Sequence, residues 1–131
     1  MNVRIELTIT DQRSGGAPVK KTVTMVTADD MTGLIRTGAQ YLNMGEIPLN
    51  VDASPLILPD GKIRLRLTVQ YDLPPSEESL ANLKTGSLTR TQIHESLGLI
   101  LESGKPIVAA KSADPVGDRQ VTIEVGATIL K

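Results

Sequence analysis

The sequence contains no cysteine, no tryptophan and no phenylalanine, and its aromatic side chains apart from His94 are Tyr41 and Tyr71. The absence of cysteine excludes disulfides, thiol catalysis and thiolate metal ligands, but it leaves the compartment open because many exported domains also lack cysteine. With so few aromatic rings, stacking platforms for nucleic-acid bases are nearly absent. The core of the protein must therefore be aliphatic.

A large charge of one sign is also missing. The chain carries 14 lysines and arginines against 15 aspartates and glutamates. This balance gives no field that would attract a phosphate backbone, so nucleic acid is not an expected partner. No apolar run approaches the roughly 20 residues of a membrane helix, and Met1 leads directly into an alternating segment without a basic and apolar leader. We expect either a cytoplasmic protein or the mature part of an exported one whose leader has been removed.

What the sequence does contain is alternation of apolar and polar residues, the pattern of half-buried strands. Its 131 residues predict one domain over 1–131. Strands are predicted at 2–9, 21–26, 34–37, 47–53, 62–71, 87–101, 106–110 and 121–130, separated by turn-forming segments such as Asp60-Gly61. About eight strands and little helix favour an all-β, antiparallel two-sheet sandwich, either immunoglobulin-like or of a related type.

Two segments leave the choice between helix and other structure open. Residues 28–43 suit a helix capped by Asp29 or Asp30, but Gly33 and Gly38 each disfavour it by about 1 kcal/mol, so a turn and a short strand are preferred. The segment from Pro74 to Gly86 is predicted as a mobile excursion with at most one short helix.

The longest uninterrupted alternation predicts the core and suggests the sheet edges. Six apolar residues are expected to form the central core: Ile63, Leu65, Leu67, Val69, Ile123 and Val125. Pro48 suggests that strand 47–53 is an edge or begins at the proline, because proline cannot donate to a ladder. If the final strand lies at an edge, its single internal charge, Glu124, leaves it unguarded, and Val121, Ile123 and Val125 become candidates for an interaction surface.

Four segments, taken in order, resemble the C-terminal β domain of bacterial secretins: Leu49–Pro55, Asp60–Leu65, Ser103–Val108 and Arg119–Val125. The final block from Asp114 to Ile129 is also similar to small exported bacterial proteins of unknown function. The resemblance implies a secretin-like sandwich in the cell envelope, outside the cytoplasm, that pairs with itself or with a protein partner. Secretins usually carry paired glycines after the turn that Ser103-Gly104-Lys105 resembles, whereas Ala109 and Ala110 stand here, which argues against pore formation.

None of the residue patterns typical of an enzyme is complete. Ser103-Gly104-Lys105 is not a phosphate-binding loop, because Pro106 replaces the hydroxyl residue and a strand follows. His94 shares a strand face with Ser96, whereas Glu95 points to the opposite face, and no nucleophile motif accompanies the histidine. The sequence therefore predicts no catalytic residue and no cofactor, and a hydrolase centred on His94 is the least favoured alternative.

Two further groups are candidates for binding. Asp114 and Asp118 flank a tight loop and are weak candidates for calcium, but calcium usually takes six to eight oxygens and two carboxylates are too few. An Asx turn at Asp114 and an ion pair of Asp118 with Arg119 or Lys111 are favoured instead, so no metal site is predicted. Lys62, Arg64 and Arg66 form a basic stripe on one strand face, which is either an interaction face or paired with Glu6 or Glu124 on neighbouring strands.

The sequence favours a non-enzymatic envelope domain that acts through sheet pairing. The alternative from another class is a small-molecule-binding module with a pocket at the loop 114–119.

Overall fold

Every regular element in the described part of the chain is a β-strand, as the sequence predicts. The computed structural model describes residues 1–12, 16–40, 46–72, 92–113 and 118–131. The strands are Asn2–Gln12 (β1), Val19–Ala28 (β2), Gly33–Gln40 (β3), Glu46–Ile57 (β4), Ile63–Asp72 (β5), Gln92–Leu101 (β6), Ile107–Ala113 (β7) and Gln120–Leu130 (β8). The excursion predicted at Pro74–Gly86 and most of the loop 114–119 lie outside the described residues.

The strands form two antiparallel sheets of four. The first sheet has the order β2-β1-β8-β7, and the second sheet has the order β3-β4-β5-β6. The chain passes from the first sheet to the second between β2 and β3, and it returns between β6 and β7. This arrangement confirms the predicted all-β two-sheet sandwich.

The core lies between the sheets because each strand turns its apolar side inward. All six predicted core residues are buried, with exposed fractions of 1% or less. They join the inward residues of β1, namely Val3, Ile5, Leu7 and Ile9, in one cluster. Full burial of a Val, Leu or Ile side chain contributes about 1.5–3 kcal/mol, so this layer, in which Tyr71 is the one aromatic side chain among the described core residues, stabilises the sandwich mainly through aliphatic contacts.

The two strands suggested as edges are internal. β8 lies between β1 and β7, so the hypothesis of a free edge at Val121, Ile123 and Val125 is wrong, and these side chains belong to the core. The strand has few charges because it is paired on both sides and needs no protection. β4 lies between β3 and β5, but its register with β5 begins at Leu49, so Pro48 interrupts no pairing with β5.

The turns follow the predicted residue chemistry. Gly61 and Gly104 have positive φ angles of 86° and 81°, which glycine adopts without strain. The Met31 amide donates a hydrogen bond of 3.1 Å to the Ala28 carbonyl in a turn before β3. Residues 33–40 form the strand β3, so the alternative of a helix beginning at residue 28 is wrong. Asp29 stabilises this turn by accepting a hydrogen bond of 2.8 Å from the Ile57 amide.

Candidate functional site

The two crossovers bring the sheet edges together on two opposite sides of the sandwich. β2 and β3 are successive strands and are edges of different sheets, and we call their side the β2/β3 flank. β6 and β7 are also successive edge strands, and their side is the β6/β7 flank. Edge strands expose unpaired backbone groups and are the natural sites of strand addition. The flanks are therefore the first candidates for an interaction site.

A carboxylate lies between the sheets at the β6/β7 flank. Glu95 is on the same side of β6 as Ile93 and Leu97, which face the core. Its Oε1 accepts a short hydrogen bond from the Ser112 hydroxyl on β7, which links the two sheets. Its Oε2 is buried and has no hydrogen-bond partner among the described residues. A buried carboxylate oxygen without a donor is destabilising, so this position favours an added cation or N–H group.

A cation occupies the corresponding side of the β2/β3 flank. Lys21 is on the same side of β2 as Val23 and Met25, which pack against the core, yet Lys21 itself is exposed. It makes no ion pair with any other described residue. Gly33 allows β3 to approach β2 near Met25, because a Cβ atom at position 33 would lie 2.7 Å from Met25 Sδ.

The basic stripe lies on the outer face of the second sheet, where Lys62, Arg64 and Arg66 are exposed. Arg64 stands between Leu56 and Ile100 across the strands, and Arg66 between Ser54 and Gly98. The suggested pairing with Glu6 or Glu124 is wrong, because both carboxylates belong to the first sheet.

Carboxylates near the basic stripe compensate its positive charge only in part. Glu6 pairs instead with Arg4 at 3.1 Å. Lys62 is close enough to Glu102 to contribute to lowering the pKa of that carboxyl, after the larger effect of Lys105. An interaction role for the stripe stays a prediction.

The polar residues singled out for chemistry are dispersed. His94 is exposed on the outer face of β6, opposite Gln70, and Glu95 points to the other face as predicted. The Ser96 hydroxyl is 3.4 Å from the Thr68 hydroxyl. Within the described ranges, no group of three or more histidines, aspartates or glutamates is placed to hold a metal.

One of the two weak calcium candidates lies within the described residues. Asp118 is exposed, and Asp114 lies outside the described residues. Among the described residues, Asp118 forms an ion pair with neither Arg119 nor Lys111, the two partners suggested for it. Arg119 is buried and donates two hydrogen bonds to Asp11. Arg119 follows the inward alternation of Val121 and Ile123, which directs it into the sandwich. Calcium binding by Asp114 and Asp118, which the sequence disfavours, stays a hypothesis.

Three residues of the candidate site and the core were not predicted from the sequence: Asp11, Lys21 and Glu95. Each one is a charged residue at an inward position of an otherwise apolar alternation, after Ile9, before Val23, and between Ile93 and Leu97. That interruption is a signal in the sequence. It does not show whether the residue is paired within the chain or faces another molecule, which depends on the order of the strands.

Comparison with known proteins identifies the fold. No protein-family model and no curated protein sequence matches the chain. The secretin InvG of the Salmonella SPI-1 type III secretion injectisome is similar over 99% of this chain and 65% of its own, with a TM-score of 0.60 and 12% identity. The type II secretin GspD from enteropathogenic Escherichia coli is similar over 99% of this chain and 65% of its own, with a TM-score of 0.62 and 8% identity.

The chain therefore spans just under two thirds of each of these two secretin chains, and its fold is secretin-like. The resemblance indicated by the sequence is confirmed at the level of the fold. No helix in the described part of the chain has the length and apolar character needed to cross a bilayer.

Proposed function

We propose that this chain is a non-enzymatic structural domain of the cell envelope whose copies associate through their sheet edges. The secretin-like fold supports the envelope role, because the similar solved structures are an injectisome secretin and a type II secretin. It also supports an extracytoplasmic location. The observation that carries the proposal is the arrangement of the four edge strands on two flanks.

The strand directions allow one repeated step to extend both sheets. In the first sheet, β7 runs antiparallel to β8 and β8 antiparallel to β1, so β7 runs opposite to β2. In the second sheet, three successive antiparallel pairs make β6 run opposite to β3. When the β6/β7 flank of one copy meets the β2/β3 flank of the next, both new strand pairs are antiparallel. Such a heterologous contact repeats from copy to copy.

The basic stripe remains free in this mode of association, because it lies on a sheet face and not at an edge. We assign it to a separate, acidic protein partner. The exposed positions of Arg64 and Arg66 support this assignment, since neither arginine has a carboxylate as its direct cross-strand partner, which favours an external counter-charge.

The experiment is sedimentation of the full chain across a concentration series. Thr22→Pro and Val23→Pro are compared in β2, because one of these adjacent positions has the N–H that faces the free edge and that proline removes. The variant that keeps the fold is expected to lose association. Arg64→Ala with Arg66→Ala, on the sheet face, should associate as the wild type does. A wild type that stays monomeric at every concentration would overturn the proposal.

A further inference from the structure

The inward sides of the two flanks each carry one charge among the described residues. On the β2/β3 flank, the inward residues are Val19, Lys21, Val23, Met25 and Thr27 of β2 and Gly33, Ile35 and Thr37 of β3. Lys21 is the one charged residue in that set. On the β6/β7 flank, the inward residues are Ile93, Glu95, Leu97, Leu99 and Leu101 of β6 and Ile107, Ala110 and Ser112 of β7. Glu95 is the one charged residue there.

We propose that Lys21 of one copy forms an ion pair with Glu95 of the next copy and thereby fixes the register of their association. The inference rests on the proposed edge pairing and adds to it the contact that determines which flank meets which. The two groups have opposite charges, and each lacks an ionic partner among the described residues of its own chain.

Lys21 and Glu95 lie at similar positions along the strand direction. Glu95 contacts Ser112 of β7. Lys21 lies opposite Ile9, Ile9 lies opposite Ile123, and Ile123 lies opposite Ala110 on successive strands of the first sheet. Lys21 and Ala110 are therefore at the same position along the strand direction. Ala110 and Ser112 are two residues apart, which is about 7 Å along a strand. The flexible side chain of lysine spans such a distance when neighbouring copies have no stagger.

The same pair cannot form within one copy. β2 and β7 are separated by two intervening strands, which places the flanks roughly 14 Å apart or more. A Lys21–Glu95 contact is therefore diagnostic of association. The cost of leaving Glu95 Oε2 buried without a donor is removed only in the assembled state, which favours docking of the correct flank over any other surface.

The first test is carbodiimide cross-linking of the unmodified chain. The carbodiimide activates a carboxyl group as an O-acylisourea, a lysine amine attacks its carbonyl carbon to form an amide, and the urea derived from the carbodiimide leaves. Mass spectrometry is expected to find the Lys21–Glu95 link in the dimer band. Lys21→Arg, which keeps the charge but has no primary amine, should lose the link. Lys20→Arg on the outer side of the same strand should retain it. A dimer whose links lie elsewhere would overturn the inference.

The second test is charge reversal, measured as the association constant by sedimentation. Lys21→Glu and Glu95→Lys are each expected to weaken association at least about tenfold, and the double reversal to restore most of it. Lys20→Glu and Glu124→Lys, on the outer sheet face, are the matched controls, and circular dichroism checks that every variant folds. Single reversals that weaken association no more than their controls would overturn the ion pair and leave edge pairing standing. A monomeric wild type would overturn both. If Glu95→Lys does not fold, the cross-linking result decides.

Discussion

Arg119 donates two hydrogen bonds to the Asp11 carboxylate inside the sandwich, one from Nε at 3.2 Å and one from Nη2. The side chains are 10% and 2% exposed, respectively, so both charges are largely removed from water. The pair joins the last inward position of β1 to the residue before β8. A buried ion pair is weak evidence of added stability, but removing one partner is strongly destabilising, because the buried group that remains loses the hydrogen bonds and the opposite charge that this partner supplied.

Asp11→Ala is therefore expected to lower the free energy of unfolding by about 3–5 kcal/mol, measured by denaturant titration. Glu6→Ala removes the exposed Arg4–Glu6 pair and serves as the control. Its expected cost is about 1 kcal/mol or less, because exposed pairs are screened by solvent. Equal effects of the two substitutions would contradict the structural role of the buried pair.

Leu67→Ala tests the aliphatic core. Leu67 is 1% exposed and lies between Ala53 and Leu97 on adjacent strands. Truncation should cost about 2–5 kcal/mol, since it removes buried methyl groups and leaves a cavity. Leu34→Ala is the matched control, because Leu34 is 61% exposed. A cost below about 0.5 kcal/mol at Leu67 in the same titration would place this strand outside the core.

Two glycines that look equivalent in sequence should respond oppositely to alanine. Gly104 has a φ of 81°, so Gly104→Ala is expected to destabilise the protein by about 1–2 kcal/mol. A Cβ atom at Gly98 would have no atom within 4 Å, and its φ is ordinary. Gly98→Ala should therefore be neutral or stabilise by up to about 1 kcal/mol, because glycine loses more backbone entropy in a strand. Thermal unfolding distinguishes the two outcomes.

The stability of the protein should depend weakly on pH through an ion pair in the turn between β6 and β7. Lys105 donates a hydrogen bond of 2.6 Å to Glu102, which lowers the pKa of that carboxyl and raises the pKa of the Lys105 ammonium. A lowered carboxyl pKa gives stability that is present above about pH 4.3 and is lost as pH falls through the folded value. The raised ammonium pKa gives stability that is lost as pH rises above about 10.4.

Carboxyl NMR titration measures this interaction directly. In Lys105→Met, the pKa of Glu102 should move up toward its ordinary value. Glu6→Gln, which removes a carboxyl from the other sheet, should leave the Glu102 titration unchanged. A Glu102 pKa that does not respond to Lys105→Met would contradict the pairing.

The sequence predicted strands and core well because both depend on local alternation. Leu65, Leu67 and Val69 alternate with Arg66 and Thr68, and a strand with that pattern buries one side whatever its neighbours are. The position of a strand within its sheet depends on pairing between distant residues, such as Asn2 with Leu130. For this reason the edge suggested for the final strand was wrong, and the pairing expected for Arg64 and Arg66 was sought in the wrong sheet.

The candidate site was hidden for the same reason. Glu95 was placed correctly on the face opposite His94, but its partner Ser112 is on a strand of the other sheet. Lys21 and Glu95 can be recognised as candidates for a contact between copies only when the flanks are known, and the flanks follow from the two crossovers. Charged residues at inward positions of edge strands are therefore worth marking in a sequence before the topology is known.

The pairing of β1 with β8 also bears on the order of folding. The second sheet is a meander of strands consecutive in sequence, so its ladders connect neighbouring elements. The first sheet needs Asn2 to meet Leu130, which closes a loop of nearly the whole chain. Such distant closure is slow, and in a nascent chain the edge of β1 that pairs with β8 stays unpaired until β8 has left the ribosome. During that interval the apolar side of the completed meander is uncovered, and a chaperone that holds exposed aliphatic strands would act on this intermediate and not on the finished sandwich.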